Sequence, residues 1–343
     1  MKDILEKLVA GQSLSHDEAH AAMSRIMEGG CSDAEIAGFL IALRMKGETG
    51  AEVAGCAAAM RERVTPIPVQ DLEPVDTCGT GGDGAHTLNI STIAALVAAG
   101  AGVRIAKHGN RAASSRCGSA DVLAALGLNI DADPEVITRC IREVGIGFLF
   151  APRLHPAMKH AVGARRALGV RTIFNLLGPL VNPAGARRGV LGVFSAAAQD
   201  LIAEAAIELG MRRLFVVHAR DGLDEISICG PTRIIELRNG GCHVYELDPP
   251  SLGFALAPRD ALLGGDPEHN AELARRILAG TPGPRRDVVL LNAAAAILAA
   301  DLAADWPAAL AAAAHSIDGG AAAQKLAQMI AASRAPADSR IAP

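Results

Sequence analysis

The sequence changes character at a short proline-rich stretch, VTPIPVQDLEP, which occupies residues 64–74. Before this stretch, apolar residues recur at helical spacing, as in DEAHAAMSRIM and SDAEIAGFLIALRMKG. Ser32 and Asp33 supply a signal for the start of a helix, and Gly47 supplies a signal for its end. Because prolines cannot continue a helix, we expect short helices over residues 1–63 and a linker or hinge after them.

From residue 75 onward, short β-branched runs alternate with alanine-rich helical runs. The strand-like runs are VRIAKHG, GVLGVF, RLFVVHA and ISICG, and helical runs such as STIAALVAAGA, SADVLAALG and AQDLIAEAAIELG lie between them. This alternation predicts an α/β domain with a largely parallel sheet. Asn239 and Gly240 separate two further strand-like runs and predict a hairpin, so the central sheet should be mixed.

The composition argues against several classes of protein. The 343 residues carry a formal net charge of -4 and are 3% aromatic, which is unlike a nucleic-acid-binding surface. The N-terminus lacks the apolar core of a secretory signal. Residues 292–314 are apolar, but Asp301 and Asp305 interrupt them and favour a buried helix over a membrane span. Seven cysteines without a Cys-x-x-Cys pair are expected to be core or site-lining thiols, so we expect a cytoplasmic protein with no membrane partner.

The motif GTGGDG, followed by NIST, is expected to approach a ligand closely. Its glycines remove side chains at residues 79–84, and the helix that follows should present free amides to an anion. Asn89 and Ser91 are expected to cap the first turn of that helix. The motif fits neither the Walker nor the dinucleotide-binding pattern, and an ordinary tight turn is the alternative. Asp83 among the glycines indicates sugar hydroxyls or metal-bound water as well as phosphate.

A second loop, KHGNRAASSRCGSAD, combines cations and hydroxyl groups after the strand VRIA. Two such loops at one edge of a parallel sheet face the same crevice. Arg111 taken alone is better explained as a solvated surface charge. Together with the glycine motif, however, the loop predicts a pocket for a ligand with several phosphates.

Two further stretches complete the candidate site. DGLDE places Asp224 and Glu225 between two predicted strands, where such an acidic pair can hold Mg²⁺ together with substrate phosphates, or can simply be a solvated turn. Downstream of His155, Arg165 and Arg171 flank a helical run before the turn at Gly178. An arginine fork is the usual partner of a planar carboxylate, but arginine on a helix is ordinarily a surface residue.

GTGGDG, NIST, KHGNRAASSRCGSAD, RTIFNLLGPLVNP and DGLDE closely resemble the anthranilate phosphoribosyltransferase family, in order and over nearly the whole chain. The resemblance implies a Mg²⁺-dependent transfer of the phosphoribosyl group from phosphoribosyl pyrophosphate (PRPP) to anthranilate, in tryptophan biosynthesis. It also implies a nucleoside phosphorylase/phosphoribosyltransferase-like fold and a homodimer. A small helical domain of residues 1–70 plus about 160–186 would be hinged to a large α/β domain of residues 71–159 plus 187–343.

The resemblance also assigns ligands to residues by their position in the motifs, with positioning and electrostatics rather than an acid or base as the source of catalysis. For PRPP it implies Gly79, Gly82, Asp83, Thr87, Asn89, Ile90, Ser91, Thr92, Lys107, His108, Gly109, Asn110, Arg111, Ala112, Ala113, Ser114, Ser115 and Ser119. For anthranilate it implies Gly79, His108, Asn110, His155, Arg165 and Gly178. For Mg²⁺ it implies Ser91, Asp224 and Glu225.

Two departures from the family pattern concern the anthranilate channel. Leu88 stands where many members have Phe, and Gly163 and Ala164 stand where a bulkier pair is common. The nearest alternative is the pyrimidine nucleoside phosphorylase family, which shares a GTGGD loop but differs in the loop that here begins with Lys107. A catalytically idle paralogue that binds nucleic acid is a second alternative, and the charge balance argues against it.

Overall fold

The computed structural model describes residues 1–112, 116–238 and 240–336, and its N-terminal segment is helical as predicted. The helices of this segment are α1 (Lys2–Val9), α2 (His16–Met27), α3 (Asp33–Lys46) and α4 (Gly50–Arg61). Helices α2, α3 and α4 each begin with a capping box, in which a Ser or Thr and a Glu three residues later satisfy each other's backbone N–H groups. Helix α3 follows Ser32 and ends at Gly47, which has φ of +88°.

A mixed sheet forms the centre of the rest of the chain and confirms the predicted fold class. Its strands in the described residues are β1 (Val75–Gly79), β2 (Ile105–Gly109), β3 (Ile146–Phe150), β4 (Arg188–Gly192), β5 (Arg213–Ala219), β6 (Thr232–Arg238) and β7 (Gly241–Leu247). The strand order is β3-β2-β1-β4-β5-β6-β7, and the pairs from β3 to β5 are parallel. The predicted hairpin joins antiparallel β6 and β7, with Asn239 itself outside the described residues.

The remaining helices cover the sheet. They are α5 (Ile90–Gly100), α6 (Ser119–Leu126), α7 (Pro134–Arg139), α8 (Ala151–Leu154), α9 (Lys159–Leu168), α10 (Phe174–Leu177), α11 (Ala196–Glu208), α12 (Pro267–Leu278), α13 (Pro284–Ala299), α14 (Trp306–Asp318) and α15 (Ala321–Arg334). Both faces of the sheet are buried at β5, whereas the edge strand β7 is largely exposed. On β5, Phe215 and Val217 belong to the core that contains α5 and α13, whereas Leu214 and Val216 belong to the core that contains the N-terminal helices.

Three sequence predictions are wrong in detail. ISICG is not a strand, because side chains take the backbone N–H groups that a strand would use: Asn292 accepts from Ile226, and Thr232 accepts from Ser227. The apolar run at residues 292–314 is divided between α13 and α14, since the chain turns at Asp301, where φ is +58°. All seven cysteines are described and none forms a disulfide, but Cys242 is exposed rather than buried.

No helix in the described part of the chain is both long and apolar enough to span a membrane.

Helix α9 packs on the N-terminal helices although more than a hundred residues separate them in the sequence. A Cβ atom on Gly163 of α9 would lie 2.8 Å from the Asp33 carboxylate at the start of α3, so the small residue permits this close contact. Helix α9, which carries Arg165, therefore borders the helical bundle.

Candidate functional site

The loops that follow β1 and β5 meet at the carboxyl edge of the sheet, as the sequence predicts. The Gly81 backbone N–H donates to Asp224 Oδ2 over 2.9 Å. The Ser91 N–H, in the first turn of α5, donates to Glu225 Oε1 over 3.1 Å. Both predicted acidic metal ligands thus contact the glycine motif or the helix that follows it.

Glycine is required where the acidic loop crosses the strand ends. A Cβ atom on Gly79 would lie 3.1 Å from Asp224 Oδ2, and one on Gly192 would lie 1.6 Å from the backbone oxygen of Asp224. No side chain can be accommodated at Gly192 without moving this loop. The glycine at the end of β4 therefore sets how close Asp224 comes to β1.

The acidic groups at this edge carry more negative charge than their neighbours neutralise. Burial, and next the charge of Asp83, raise the pKa of Asp224 to about 7. Burial, and next the charge of Asp224, raise the pKa of Glu225 to about 8. Lys107 is the nearby cation, and burial lowers its own pKa. Burial and mutual repulsion thus disfavour the ionised acids in the ligand-free protein, and a bound cation would offset this cost.

These residues suit a cation that is completed by substrate rather than a closed protein cage. No group of three His, Cys, Asp or Glu side chains converges as a metal site in the described residues. Mg²⁺ is commonly held by one or two carboxylates together with phosphate oxygens and water. Asp224 and Glu225 provide the carboxylates, and the Ser91 hydroxyl lies 3.4 Å from Lys107 Nζ beside them.

The start of α5 differs from its predicted capping. Asn89 occupies the position before the helix, but its side chain does not cap the first turn. It bonds instead to the second loop, where its Nδ2 donates to the Cys117 carbonyl over 3.0 Å. The Thr92 hydroxyl is buried and has no partner among the described residues. An unpartnered buried hydroxyl in this turn is available to a ligand.

The second loop is folded against its own helix. Arg111 pairs with Asp121 at 2.9 Å, so it is not a free surface charge, and the Ala112 N–H donates to the same carboxylate. The Ser119 hydroxyl lies 3.2 Å from both the N–H and the carbonyl of Asn110. Ala113, Ser114 and Ser115, which were also predicted to bind PRPP, lie outside the described residues.

Consecutive residues of β2 face two different parts of the site, as alternation along a strand requires. Lys107 donates to the Thr77 carbonyl and lies near Ser91, on the side of the acidic groups. His108 points the other way, where its Nδ1 lies 3.2 Å from the Gly178 carbonyl and its Nε2 lies 3.0 Å from Nε2 of His155. The end of β2 therefore separates a charged half of the site from a second half.

The two histidines of this second half are neutral. Burial, and next the proximity of His155, lower the pKa of His108 to about 3, and burial lowers the pKa of His155 to about 4. Because a carbonyl only accepts, Nδ1 of His108 carries the hydrogen that faces Gly178. His108 Nε2 then accepts from the Nε2–H of His155.

A cavity of about 410 Å³ opens beside the histidines. It is lined by Met60, His108, Asn110, Ala151, Pro152, His155, Pro156, Met158, Lys159, Val162, Arg165, Phe174, Gly178 and Val181. Five of the six residues predicted for anthranilate are in this lining. Gly79 is the exception, since it lies against Asp224.

Arg165 is the cation of this cavity that lies deepest in the protein. Its guanidinium packs over the Phe174 ring at 4.8 Å from the ring centre, and burial lowers its pKa. Among the described residues, no hydrogen-bond or ion-pair partner is seen for this guanidinium beside its contact with Phe174. A half-buried guanidinium without a carboxylate partner is suited to receive one from a ligand.

Comparison with known proteins agrees with this geometry. Residues 2–64 match the family model described as "Glycosyl transferase family, helical bundle domain", and residues 72–323 match "Glycosyl transferase family, a/b domain". The chain is 54% identical over 333 residues to an anthranilate phosphoribosyltransferase of Anaeromyxobacter dehalogenans, with 97% of this chain and 98% of the relative covered. It is 52% identical over 330 residues to that of Desulforudis audaxviator, with 96% and 95% covered.

The chain belongs to the anthranilate phosphoribosyltransferase family.

Solved structures of the family share its fold. The enzyme from Thermus thermophilus superposes with a TM-score of 0.92 at 47% identity, with 97% of this chain and 100% of that chain covered. The Saccharomyces cerevisiae enzyme in complex with PRPP and Mg superposes with a TM-score of 0.88 at 28% identity, with 97% of each chain covered. The same yeast enzyme has also been solved with 4-fluoroanthranilate, at a TM-score of 0.86, 27% identity, and 96% and 97% covered.

Against this family background, two contacts of the site were missed by reasoning from the sequence. Arg171 reaches the glycine motif, since its Nη2 donates to the Gly82 carbonyl while its guanidinium packs over Phe194. Asp76 of β1 is buried, and it accepts from the His108 N–H of the neighbouring strand β2 over 3.0 Å. Its partners lie far away in sequence, so no local motif marks it.

Proposed function

We propose that this chain transfers the phosphoribosyl group of PRPP to the amine of anthranilate, giving N-(5-phosphoribosyl)anthranilate and pyrophosphate, with Mg²⁺ as cofactor. The observation that carries the proposal is the pairing of two unlike half-sites across β2. One half contains the acidic pair against the glycine motif, and the other contains Arg165, whose guanidinium pairs with no carboxylate of the described residues. PRPP needs a cation site and anion-binding amides, whereas anthranilate needs an apolar cavity with one receptor for its carboxylate.

On the PRPP side, the proposed contacts are those of the glycine motif, the start of α5 and the second loop. Lys107 contributes a buried charge beside the acidic pair, and Thr92 contributes a hydroxyl that lacks a partner among the described residues. Asp224, Glu225 and Ser91 would hold Mg²⁺. When bound, Mg²⁺ supplies positive charge that stabilises the departing pyrophosphate. The glycine-motif amides stabilise the same developing charge.

On the anthranilate side, Arg165 would receive the carboxylate, and the neutral histidines would shape the cavity without competing for it. The aromatic amine is uncharged at neutral pH, so it needs positioning in line with C1 of the ribose rather than deprotonation. Holding the two reactants together in this way supplies much of the rate enhancement of such reactions. The yeast complexes with PRPP and Mg and with 4-fluoroanthranilate support both halves of the assignment.

We further infer a discontinuous small domain of residues 1–70 plus about 160–186, which would move as a unit against the α/β domain. The packing of α9 on α2 and α3 supports this division. The contact between Arg171 and Gly82 would then be made when the domains close and water is excluded.

A homodimer through the small domain is supported by Val9 and Met45, which are 80% and 83% exposed on the packed helices α1 and α3. The absence of disulfides among the seven described cysteines supports a cytoplasmic location.

The decisive experiment follows anthranilate consumption by fluorescence, with and without PRPP and Mg²⁺, in wild type and in Arg165→Ala. The variant should raise the KM for anthranilate by one to two orders of magnitude, corresponding to about 1.4–2.8 kcal/mol. The KM for PRPP should barely change. Arg165→Lys keeps the charge but loses the planar fork, so it should recover only part of the loss.

Arg166→Ala is the matched control, because Arg166 is the exposed neighbour on the same helix. It should behave like wild type. If Arg165→Ala also behaves like wild type, the carboxylate receptor lies elsewhere, with Arg171 as the next candidate. If wild type consumes no anthranilate in the presence of PRPP and Mg²⁺, the proposed function itself is wrong.

A further inference from the structure

Asn270 is a buried polar residue that the predicted site does not include. It lies in the first turn of α12, about 180 residues from the glycine motif in sequence, and is 1% exposed. Its Oδ1 accepts from the Gly265 N–H over 2.8 Å, and its Nδ2 donates to Asn89 Oδ1 over 2.9 Å. Both bonds lead toward the segment that is proposed to bind PRPP.

These bonds fix the orientation of two side-chain amides in succession. A backbone N–H can only donate, so the Asn270 oxygen must face Gly265 and its amide nitrogen must face Asn89. The Asn89 oxygen is therefore turned toward Asn270. The NH₂ group of Asn89 is turned toward the second loop, where it donates to the Cys117 carbonyl.

This orientation leaves one hydrogen-bonding group of Asn89 for a ligand. One N–H of its amide is used on Cys117, and its oxygen accepts from Asn270 and from Cys117 Sγ. The second N–H has no partner among the contacts of the described residues. A flipped amide would present an acceptor to the phosphate oxygens instead, which would repel them.

Asn270 also holds the backbone beside the glycine motif. The Leu88 N–H donates to the Leu262 carbonyl, and the Gly264 N–H donates to the His86 carbonyl, both over 3.0 Å. Asn270 packs directly on this pairing, since a Cβ atom on Gly264 would lie 2.6 Å from its Oδ1. One side chain thus fixes both the Asn89 amide and the strand-like contact that precedes it.

We propose that Asn270 is a positioning residue for PRPP, which acts by holding the Asn89 amide with its NH₂ group toward the ligand. The inference rests on the proposed function, because it assumes that PRPP contacts Asn89. The same hydrogen bonds have a second consequence. They run from Asn270 through Asn89 to Cys117, and so hold the segment after the glycine motif against the second loop at the sheet edge.

The test is Asn270→Asp, which retains the acceptor for Gly265 but cannot donate to Asn89. Titration calorimetry with PRPP and Mg²⁺ should show binding weakened by about tenfold or more, as expected for a lost buried hydrogen bond with two acceptors left facing each other. The KM for PRPP should rise in parallel, while the KM for anthranilate at saturating PRPP should not change. Gln199→Glu is the matched control, because Gln199 is fully buried, donates to the Val216 and Arg233 carbonyls, and lies away from the site.

A double-mutant cycle separates positioning from general destabilisation. In an Asn89→Ala background, Asn270→Asp should cause no further loss of PRPP affinity, because the amide that it orients is gone. Equal losses in both backgrounds, wild-type affinity in Asn270→Asp, or an equal loss in Gln199→Glu would overturn the proposal. If Asn270→Asp does not fold, Asn270→Ala in the same cycle gives the coupling. If wild type does not bind PRPP, the proposed function fails instead.

Discussion

Charged side chains are ion-paired at one end of the central sheet and unpaired at the other. At the amino end, Arg188 of β4 pairs with Glu73 at 3.3 Å and with Asp301, and Arg213 of β5 pairs with Glu236 at 3.1 Å and with Asp301. At the carboxyl end, Asp83, Asp224 and Glu225 form no ion pair with any described residue. The amino end of these strands therefore carries a network of ion pairs, and their carboxyl end carries acids without an ion-pair partner among the described residues.

This difference indicates which end awaits a ligand. Paired charges serve the fold, because each partner is supplied by the chain itself. Unpaired buried charges cost stability unless something outside the chain neutralises them. The raised pKa values of Asp224, about 7, and of Glu225, about 8, express this cost in the ligand-free protein.

The largest expected effect comes from removing the acids. Asp224→Asn combined with Glu225→Gln keeps the shape of the site but removes the charges that would hold Mg²⁺. We expect Mg²⁺-dependent turnover to fall by about 10²–10³, the size of effect seen when one electrostatic stabiliser is lost. Steady-state assays over a range of Mg²⁺ concentrations measure this.

The same variant should fold at least as stably as wild type, because two neighbouring like charges are removed from a half-buried site. Circular dichroism and urea unfolding check the fold. Normal activity in the double variant would refute the metal assignment, and a large loss of stability would show that the acids serve the fold after all.

The opposite result is expected at the amino end. Arg188→Met removes a side chain that also donates to the Ala299 carbonyl over 2.9 Å. Its partners Glu73 and Asp301 are about half exposed and can be rehydrated, so we expect a loss of about 2 kcal/mol in the free energy of unfolding, between the values for surface and buried pairs. The kcat of the folded variant should be unchanged.

Urea unfolding of Arg188→Met is best compared with Arg220→Met, which breaks an exposed pair with Glu246. The control should lose less than about 1 kcal/mol. A drop in kcat for Arg188→Met without a change in stability would contradict the division between the two ends.

The sequence predicted those parts of the site whose residues lie close together in the chain, and it did not predict contacts between residues that are far apart in the chain. The glycine motif, Lys107 and the acidic pair each lie in a short motif at a strand end, so their meeting at one edge followed from parallel pairing alone. The fold class and the family are confirmed, and the ligand roles of these residues remain predictions.

Residues that act through distant partners could not be found in this way. Asn270 contacts Asn89 across 181 residues, and Asp76 contacts Asn182 across 106. The strand predicted at ISICG is absent for the same reason. The Ile226 N–H donates to the side chain of Asn292, which lies on a helix far along the chain. Local β-propensity cannot anticipate a side chain that replaces a strand neighbour.

The smallest expected effect is a dependence of stability on pH that belongs to the carboxyl end. The raised pKa values of Asp224 and Glu225 mean that the ligand-free folded state holds protons that the unfolded chain releases near pH 4. The contribution of these acids to stability should therefore fall from about pH 4 until the pH passes about 7 to 8, and level off above that range.

His108 and His155 act in the opposite direction. Their pKa values of about 3 and about 4 make the folded state bind fewer protons than the unfolded chain, so their effect raises stability with pH up to about 6.5. Because this contribution is common to wild type and to Asp224→Asn with Glu225→Gln, the difference between the two proteins isolates the acids. From about pH 6 to about pH 8.5, the free energy of unfolding should fall more for wild type than for the variant, because two carboxyl groups with pKa values of about 7 and about 8 release their protons in this range. Urea unfolding without ligands measures the difference. Parallel pH profiles would mean that the acids are already neutralised by the chain, and the contrast between the two ends of the sheet would then disappear.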